Sequence, residues 1–345
     1  MILFRADGNS KIGAGHIMRC LSVVQAFRRR GEECVFVLAD DALKAPVEAR
    51  DFEAVVLNSD YSNMEAETDA FAEIIRAFSP KCVVVDSYFV TERYLSRIRR
   101  LAKTAYMDDV AAFAYPVDTL INYNVFADSF DYGALYSEAE CDKPALLTGL
   151  EYVPLREEFQ NLKPPVIHRT AKRVLVSTGG ADTVHIALAL LDAIRASGMN
   201  EEFEFHFVIG ALNQDRPQIE RIAEGMSGIR LHSNVRNMSA LIRSCDIVIS
   251  ASGSTLYEIS ACGIPMIVYA LADNQLPATS TFASIGAAVS CGDLRESPEP
   301  ANTVLRALSA LCADNGLRAK MSRKMRTLVD GRGADRIAAA ISDRV

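Results

Sequence analysis

The sequence has no excess of basic residues, because 37 Lys and Arg stand against 44 Asp and Glu for a formal charge of −7. That balance argues against binding to nucleic acid or acidic membranes. No apolar segment approaches the ~20 residues of a membrane span, and Arg5 and Asp7 precede any run of signal-peptide length. The eight cysteines form no Cys-x-x-Cys pair, which predicts buried free thiols. We therefore expect a cytoplasmic protein without a membrane span. The sequence does not determine the oligomeric state, and a monomer is the expectation.

Histidine is also scarce, and no two of the five histidines have the spacing of metal ligands. His168 lies in a proline-rich segment, while His206 and His232 lie in predicted strands, so these three are weak candidates for a site. His185 follows Asp182 in a predicted first helical turn and is a candidate ligand contact. Neither a metal ion nor another cofactor is predicted.

Short apolar runs rich in β-branched residues alternate with helical patterns along the whole chain. This alternation is typical of βα units and parallel sheets, so we predict an α/β fold. Since 345 residues exceed the roughly 250 to 300 that one core accommodates, two doubly wound domains are expected. The predicted strands are 2–5, 34–39, 54–57, 82–86, 104–107 and 119–121 in the first half, and 173–177, 204–209, 229–232, 247–250, 266–269 and 287–290 in the second.

The segment 150–169 carries Pro154, Pro164 and Pro165 without clear periodicity and is interpreted as the linker. The predicted domains are residues 1–155 and 170–329. The tail, 330–345, is predicted to be a final helix with Ile337 and Ile341 on one face.

The most informative motif is Ile12-Gly13-Ala14-Gly15-His16, between the first strand and a helix predicted over 17–30. Glycines allow close approach of a ligand to the backbone, and the N–H groups of a first helical turn attract anions. The positive helix end disfavours an imidazolium, so His16 is expected to be neutral and to accept a proton.

Polar residues end several strands of the first half. Ligands of open α/β sheets bind beyond the carboxyl ends of strands, so these residues are candidate contacts, although turn formers and helix caps have the same pattern. The residues are Asp7, Asp86, Ser87, Tyr88, Asp108, Asp109, Asn122 and Asn124.

Two glycine-serine loops in the second half, 177–182 and 250–254, each follow a strand and open a helix. Hydroxyls and N–H groups in such loops suit a diphosphate without a metal. Glu258, one helical turn beyond Ser254, suits the two hydroxyls of a ribose, although the helix dipole alone also favours a glutamate there. Asn274 and Gln275 follow the next strand and are further candidate contacts.

A dinucleotide site is an alternative, because Gly13-x-Gly15 is a partial fingerprint and Asp40 ends the second strand. The third glycine is missing, since position 18 is Met18, and close packing of helix on strand favours glycine there. We therefore do not favour nicotinamide chemistry.

Taken jointly, the motifs resemble the UDP-sugar hydrolase family of pseudaminic acid biosynthesis, whose members hydrolyse UDP-2,4-diacetamido-2,4,6-trideoxy-β-L-altropyranose. The resemblance spans nearly the whole chain. It rests on Ile12-Gly13-x-Gly15-His16-x-x-Arg19, Val85-Asp86-Ser87-Tyr88, Asp108-Asp109, Gly149-x-x-Tyr152-x-x-Leu155-Arg156-x-x-Phe159, Gly179-Gly180-x-Asp182, the run 250–275, and Asp330-Gly331-x-Gly333-Ala334-Asp335-Arg336-Ile337.

This resemblance implies a GT-B fold, with two Rossmann-like domains around a central cleft, and a UDP-sugar substrate. It implies His16 as the catalytic base, with sugar contacts from Asp7, Gly13, Gly15, Arg19, Asp86, Ser87, Tyr88 and Asn122. UDP contacts would be Gly179, Gly180, Ser252, Gly253, Ser254, Thr255, Glu258, Asn274 and Gln275. His185 replaces an expected asparagine and the tract 128–143 matches nothing in the family, which leaves the exact sugar open.

The implied reaction is metal-independent attack of water on the anomeric carbon, with C–O cleavage and inversion. UDP is a good leaving group, so helix N–H groups suffice to stabilise it. Three alternatives remain: a glycosyltransferase of the same fold, a UDP-sugar 2-epimerase, and a non-catalytic nucleotide-sugar sensor.

Overall fold

The structure is a computed structural model that describes residues 1–9, 11–180, 182, 184–210 and 213–344. They divide into two compact units: unit 1 comprises Met1–Arg156 and the chain from Arg332 onward, and unit 2 comprises Glu157–Gly331. The predicted linker is therefore divided between them. Ala181 of the first glycine-serine loop and Val345 of the predicted tail helix lie outside the described residues.

Unit 1 contains a parallel seven-stranded sheet with the strand order β3-β2-β1-β4-β5-β6-β7. Its strands are β1 (Ile2–Ala6), β2 (Cys34–Leu38), β3 (Glu53–Val56), β4 (Cys82–Asp86), β5 (Lys103–Met107), β6 (Thr119–Asn122) and β7 (Ala145–Thr148). Its first helices are α1 (Gly15–Arg29), α2 (Lys44–Glu48), α3 (Met64–Phe78), α4 (Glu92–Arg99) and α5 (Tyr132–Ser137).

Helices cover both faces of this sheet, which explains why its central strands are continuously apolar. On β1, Phe4 packs into a core that includes residues of α1, whereas Leu3 packs into a second core that includes residues of α3 and α4. Helix α1 ends where Gly31 adopts φ +79°, a left-handed conformation that glycine adopts without a steric cost.

Unit 2 contains a parallel six-stranded sheet with the order β10-β9-β8-β11-β12-β13. Its strands are β8 (Arg173–Ser177), β9 (Glu204–Val208), β10 (Ile229–His232), β11 (Ile247–Ala251), β12 (Met266–Ala270) and β13 (Val289–Asp293). Its helices are α6 (Ile186–Ser197), α7 (Met199–Glu202), α8 (Arg216–Ala223), α9 (Met238–Arg243), α10 (Thr255–Cys262), α11 (Leu276–Ser284), α12 (Pro300–Ala313) and α13 (Asn315–Leu328).

The last helix, α14 (Gly333–Ser342), returns to unit 1 and packs on α1. Ile337 and Ile341 are fully buried in the same core as Phe27. Gly333 permits this packing, because a Cβ there would lie 2.2 Å from the Val153 carbonyl oxygen. The tail is thus part of the first unit's core.

The predicted doubly wound α/β class is confirmed. Eleven of the twelve predicted strands agree with the structure to within one residue at each end, and two larger differences remain. Strand β7 was not predicted, because its four residues, Ala-Leu-Leu-Thr, follow a tract without clear periodicity. The predicted strand 287–290 begins only at Val289, because Ala287 and Ala288 belong to the turn that follows α11.

Candidate active site

The two central strands of unit 1, β1 and β4, lie side by side, but the chain leaves them in opposite directions. From β1 it proceeds to β2 on one side, and from β4 it proceeds to β5 on the other. The loops beyond such a switch point separate and leave a crevice where ligands bind in this class of sheet. The loop after β1 carries His16, and β4 ends at Asp86.

The loop after β1 is a tight turn closed by paired backbone hydrogen bonds between Asn9 and Gly13, of 3.1 and 2.8 Å. Gly13 has φ +75°. The turn also requires Gly8, because a Cβ there would lie 2.9 Å from the Gly13 carbonyl oxygen and 2.3 Å from Leu43. Helix α1 begins at Gly15, so His16 occupies its first turn.

His16 is held by a buried carboxylate, with Nδ1 2.6 Å from Asp86 Oδ1. A carboxylate only accepts hydrogen bonds, so the ring proton lies on Nδ1 and Nε2 is left to accept a proton. Burial would raise the pKa of Asp86, but the Arg19 guanidinium and the His16 ring lower it more strongly, and the net pKa lies below its usual range. Asp86 therefore remains ionised behind the imidazole.

Arg19 joins Asp86 to a second carboxylate. It donates from Nε to Asp86 Oδ2 at 2.6 Å and from Nη1 to Asp109 Oδ2 at 2.8 Å. Asp109 also accepts from the Tyr88 hydroxyl at 2.9 Å, and the Tyr88 ring packs edge-on against His16 at 4.8 Å between centroids. Tyr88 is 47% exposed, so its ring presents an aromatic surface to solvent beside His16.

Besides Arg19, four of the residues predicted to contact a sugar use their polar atoms within the protein. Asp7 accepts from Arg5 at 2.6 Å and from the Ala39 amide at 2.7 Å, while Asn122 donates to the Tyr132 hydroxyl at 2.8 Å. Asp86 has no exposed surface. Ser87 is also buried, and its hydroxyl accepts from the Phe89 amide. The polar side chains at these strand ends hold the loops in place.

Sequence reasoning missed a buried ion pair beneath this edge of the sheet. Arg5 is fully buried and donates to both oxygens of Glu67, at 2.6 and 2.8 Å. Burial raises the pKa of Asp7 despite the opposing effect of Arg5. Nothing in the sequence indicated this pairing, because Glu67 is one of several acidic residues at the start of α3.

Unit 2 repeats the switch point, with β8 beside β11 and Ser177 opposite Ser250. We call the described residues of the two loops that follow these strands the cradle, namely 178–180 with 182, and 252–255. Gly179 has φ +90°, and both Gly179 and Gly180 are exposed. Asp182 caps α6 by accepting from the amides of Ile186 and Ala187 at 3.0 and 2.9 Å.

The second cradle loop opens α10, with Gly253 and Ser254 exposed at its start. The buried hydroxyl of Ser252 accepts from Thr279 of α11 at 2.6 Å, a contact that the sequence did not indicate. The Ser252 and Gly253 amides donate to the Tyr269 and Ala251 carbonyls, both at 2.9 Å. The part of this loop that attracts anions is therefore the start of α10, where the first-turn amides and the helix dipole act together. The arrangement therefore suits a phosphate group.

The remaining predicted contacts lie near the same edge of the sheet. Glu258 is in the first turn of α10 and partly exposed. A short 3₁₀ helix, Asp273–Gln275, follows β12, the neighbour of β11, and carries Asn274 at an exposed position. Gln275 is turned toward the backbone, since its Oε1 accepts from the Leu271 amide at 2.9 Å.

Within the part of the chain that the structure describes, no cluster of three or more His, Cys, Asp or Glu side chains is arranged to hold a metal ion. None of the described helices combines the length and apolar character needed to cross a membrane. His206 and His232 stack on each other at 5.1 Å in β9 and β10. All eight cysteines are free.

Two doubly wound units of this kind define the GT-B fold, and the chain is a GT-B protein. It is similar over 99% of its length to MurG of Acinetobacter baumannii, with a TM-score of 0.69 at 13% identity and 99% of that chain covered. It is also similar to MnaA of S. aureus in its co-structure with UDP, with a TM-score of 0.67 at 13% identity, covering 99% of this chain and 96% of that one.

Comparison of sequences finds more specific relatives, although no family model matches. The chain is 23% identical to the spore coat polysaccharide biosynthesis protein SpsG of Bacillus subtilis, covering 98% of this chain and 96% of SpsG. It is 24% identical to the UDP-2,4-diacetamido-2,4,6-trideoxy-beta-L-altropyranose hydrolase of Campylobacter jejuni, over 74% of this chain and 86% of that enzyme. It is 25% identical to an uncharacterized protein of Methanocaldococcus jannaschii, MJ1062, but matches only 55% of its length, over 78% of this chain.

Proposed function

We propose that the protein hydrolyses a UDP-linked diacetamido-trideoxy sugar to UDP and the free sugar, as in pseudaminic acid biosynthesis. The observation that carries the proposal is the His16–Asp86 pair at the switch point of unit 1. A histidine whose Nδ1 donates to a buried carboxylate has its Nε2 oriented as a general base. The hydrolase of C. jejuni, at 24% identity, supports this choice of reaction. So does the combined pseudaminic acid cytidylyltransferase and hydrolase of Helicobacter pylori, at 22% identity over 79% of this chain and 45% of that protein.

In the proposed reaction, His16 Nε2 removes a proton from water, and the water oxygen forms a bond to C1 of the sugar. The bond between C1 and the diphosphate oxygen breaks, and the electron pair leaves with UDP. The sugar is released with inverted configuration at C1, and the proton remains on His16 until it passes to solvent. Asp86 is a positioning residue here, because it contacts the imidazole and not the reacting atoms.

In this proposal unit 2 holds the nucleotide. The negative charge that develops on the leaving diphosphate is stabilised by amide groups fixed in advance, which is the most effective form of electrostatic catalysis. Glu258 would accept hydrogen bonds from the ribose hydroxyls. The proposed UDP contacts are Gly179, Gly180, Gly253, Ser254, Thr255, Glu258 and Asn274. Ser252 and Gln275 are instead assigned to positioning the loops, because the protein already engages their side chains.

The sugar contacts are revised from the sequence-based set. Tyr88 offers an exposed aromatic surface beside His16, and Gly13 and Gly15 leave space for a ligand, since a Cβ at either would meet nothing within 4 Å. We assign these three to the sugar. Asp7, Arg19, Asp86, Ser87 and Asn122 are instead assigned to positioning the loops, because the protein engages their polar atoms or buries them.

Incubation with UDP-diacetamido-trideoxy sugars in H₂¹⁸O, without any acceptor, tests the proposal. We expect release of UDP with the label in the free sugar. A glycosyltransferase would release no UDP without an acceptor alcohol, and an epimerase would instead incorporate deuterium at C2 from heavy water. A sensor would bind UDP without turnover. Label in UDP would contradict cleavage of the C–O bond.

A further inference from the structure

The loop after β9 packs directly against the cradle of unit 2. Strand β9 is the neighbour of β8, and Gly210 follows it. A Cβ at Gly210 would lie 2.1 Å from the Gly180 carbonyl oxygen and 2.7 Å from that of Gly179. Only glycine fits there. Although Ala211 and Leu212 lie outside the described residues, the loop resumes at Asn213, whose amide donates to the Gly210 carbonyl at 3.2 Å.

Asn213 carries a buried donor without an acceptor. The residue is 6% exposed, and its Oδ1 accepts from the Asp215 amide at 2.8 Å, which fixes the orientation of the side-chain amide. Among the described residues, Nδ2 has no hydrogen-bond partner. Buried amide donors are almost always paired, so an unpaired one points to an acceptor that is missing from the described chain. Because Asn213 is hydrogen-bonded to Gly210, which packs on the cradle, a ligand in the cradle is the acceptor that we infer.

His185 is connected to Asn213 through Asp215, which hydrogen-bonds to both residues. It precedes the first residue of α6 with φ +58°, and its Nδ1 lies 2.5 Å from Asp215 Oδ2. The side chain is 61% exposed, so Nε2 is accessible. Asp215 and Asp182 are the carboxylates that act on this ring, and the hydrogen bond to Asp215 raises the pKa of His185. The imidazolium is therefore stabilised.

We propose that Asn213 and His185 bind the phosphate oxygens of a nucleoside diphosphate held at the Gly179–Gly180 loop. Asp215 is the positioning residue of this pair, because its amide donates to Asn213 and its carboxylate orients His185. An uncharged amide donor and an imidazolium supplement the backbone amides of the cradle. The inference rests on the proposed binding of UDP by unit 2, and it adds a third loop to that site.

The chain contains a matched control for His185. His168 also pairs through Nδ1 with a carboxylate, Asp246, at 2.7 Å, and its side chain is 53% exposed. That pair precedes β8 and β11, at the amino ends of the strands, whereas His185 follows β8 at the carboxyl end. If the loss of any exposed histidine–aspartate pair weakened UDP binding, replacing His168 and replacing His185 would have the same effect.

Calorimetric binding of UDP, UMP and uridine to the full chain tests the inference without measuring turnover. We expect His185→Gly and Asn213→Asp each to weaken UDP binding by about 10-fold or more, with less effect on UMP and none on uridine. Glycine suits the left-handed conformation of position 185, and aspartate retains the size of asparagine. His168→Gly should leave all three affinities unchanged.

Unchanged UDP binding in both variants, or an equal loss for UDP and uridine, would overturn the inference. If Asn213→Asp does not fold, Asn213→Ala removes the same donor without adding a charge. Wild-type protein that binds UDP tightly but releases none from a UDP-sugar would contradict the proposed hydrolysis alone. Wild-type protein without affinity for UDP would contradict both.

Discussion

His16 Nδ1 lies 2.6 Å from Asp86 Oδ1, although 70 residues separate the two in sequence. The contact exists because β1 and β4 pair in register, with Ala6 opposite Asp86. It defines which ring nitrogen of His16 carries the proton. The proposed chemistry depends on that assignment.

Replacing Asp86 with asparagine should impair catalysis without weakening the binding of UDP. The amide offers both a donor and an acceptor to Nδ1, so the imidazole can adopt the wrong tautomer. We expect kcat for hydrolysis to fall by about 10²-fold or more, with the Kd for UDP unchanged. Asp246→Asn is the control, because it alters the His168 pair and should not affect kcat. An unaltered kcat in Asp86→Asn would exclude the orienting role.

The lowered pKa of Asp86 also predicts a pH dependence of stability. The carboxyl has a lower pKa in the folded chain than in the unfolded chain, so its ionised form stabilises the fold. This contribution is complete above the unfolded value of about 4 and is lost as the pH falls toward the folded value. Denaturant unfolding at about pH 7 and about pH 3 should show a larger difference between wild type and Asp86→Asn at the higher pH. A difference independent of pH would contradict the prediction.

Gly210→Ala should damage the cradle specifically. Its Cβ would lie 2.1 Å from the Gly180 oxygen, a backbone atom that cannot move without shifting the cradle. We expect the free energy of unfolding to fall by about 1–3 kcal/mol and UDP binding to weaken. Gly225→Ala adds its methyl group where nothing lies within 4 Å, so it should change stability by less than about 0.5 kcal/mol. Unchanged UDP binding in Gly210→Ala would show that the two loops are independent.

Much of the fold was predictable because the determining signals are local. Strand β8 was predicted with its exact bounds, since its apolar run is bounded by polar residues, and the glycine loop placed His16 at a helix start. The hydrogen-bond partner of His16 was not predictable from such local signals. Asp86 had a polar strand-end pattern that suits a ligand contact equally well, and only the pairing of β1 with β4 shows that it faces the imidazole.

The same reasoning applies to Asn213 and Thr279, which carry no motif. Their positions depend on the loop after β9 and on helix α11, which follows β12, lying against the cradle, a non-local consequence of the strand order. Conversely, the tail pattern of Ile337 and Ile341 predicted the buried face of α14, but not that it packs on α1. Sequence periodicity identifies which face of a helix is buried, whereas the topology of the fold determines which element that face packs against.

The most direct measurement is the rate of single-turnover hydrolysis by His16→Asn, together with its affinity for UDP. An asparagine amide can keep the hydrogen bond to Asp86 but offers no equivalent of Nε2, so only the base is removed. We predict that the rate falls by about 10² to 10⁴-fold while the Kd for UDP stays within about twofold of wild type. An unchanged rate, or a parallel loss of UDP binding, would contradict the account.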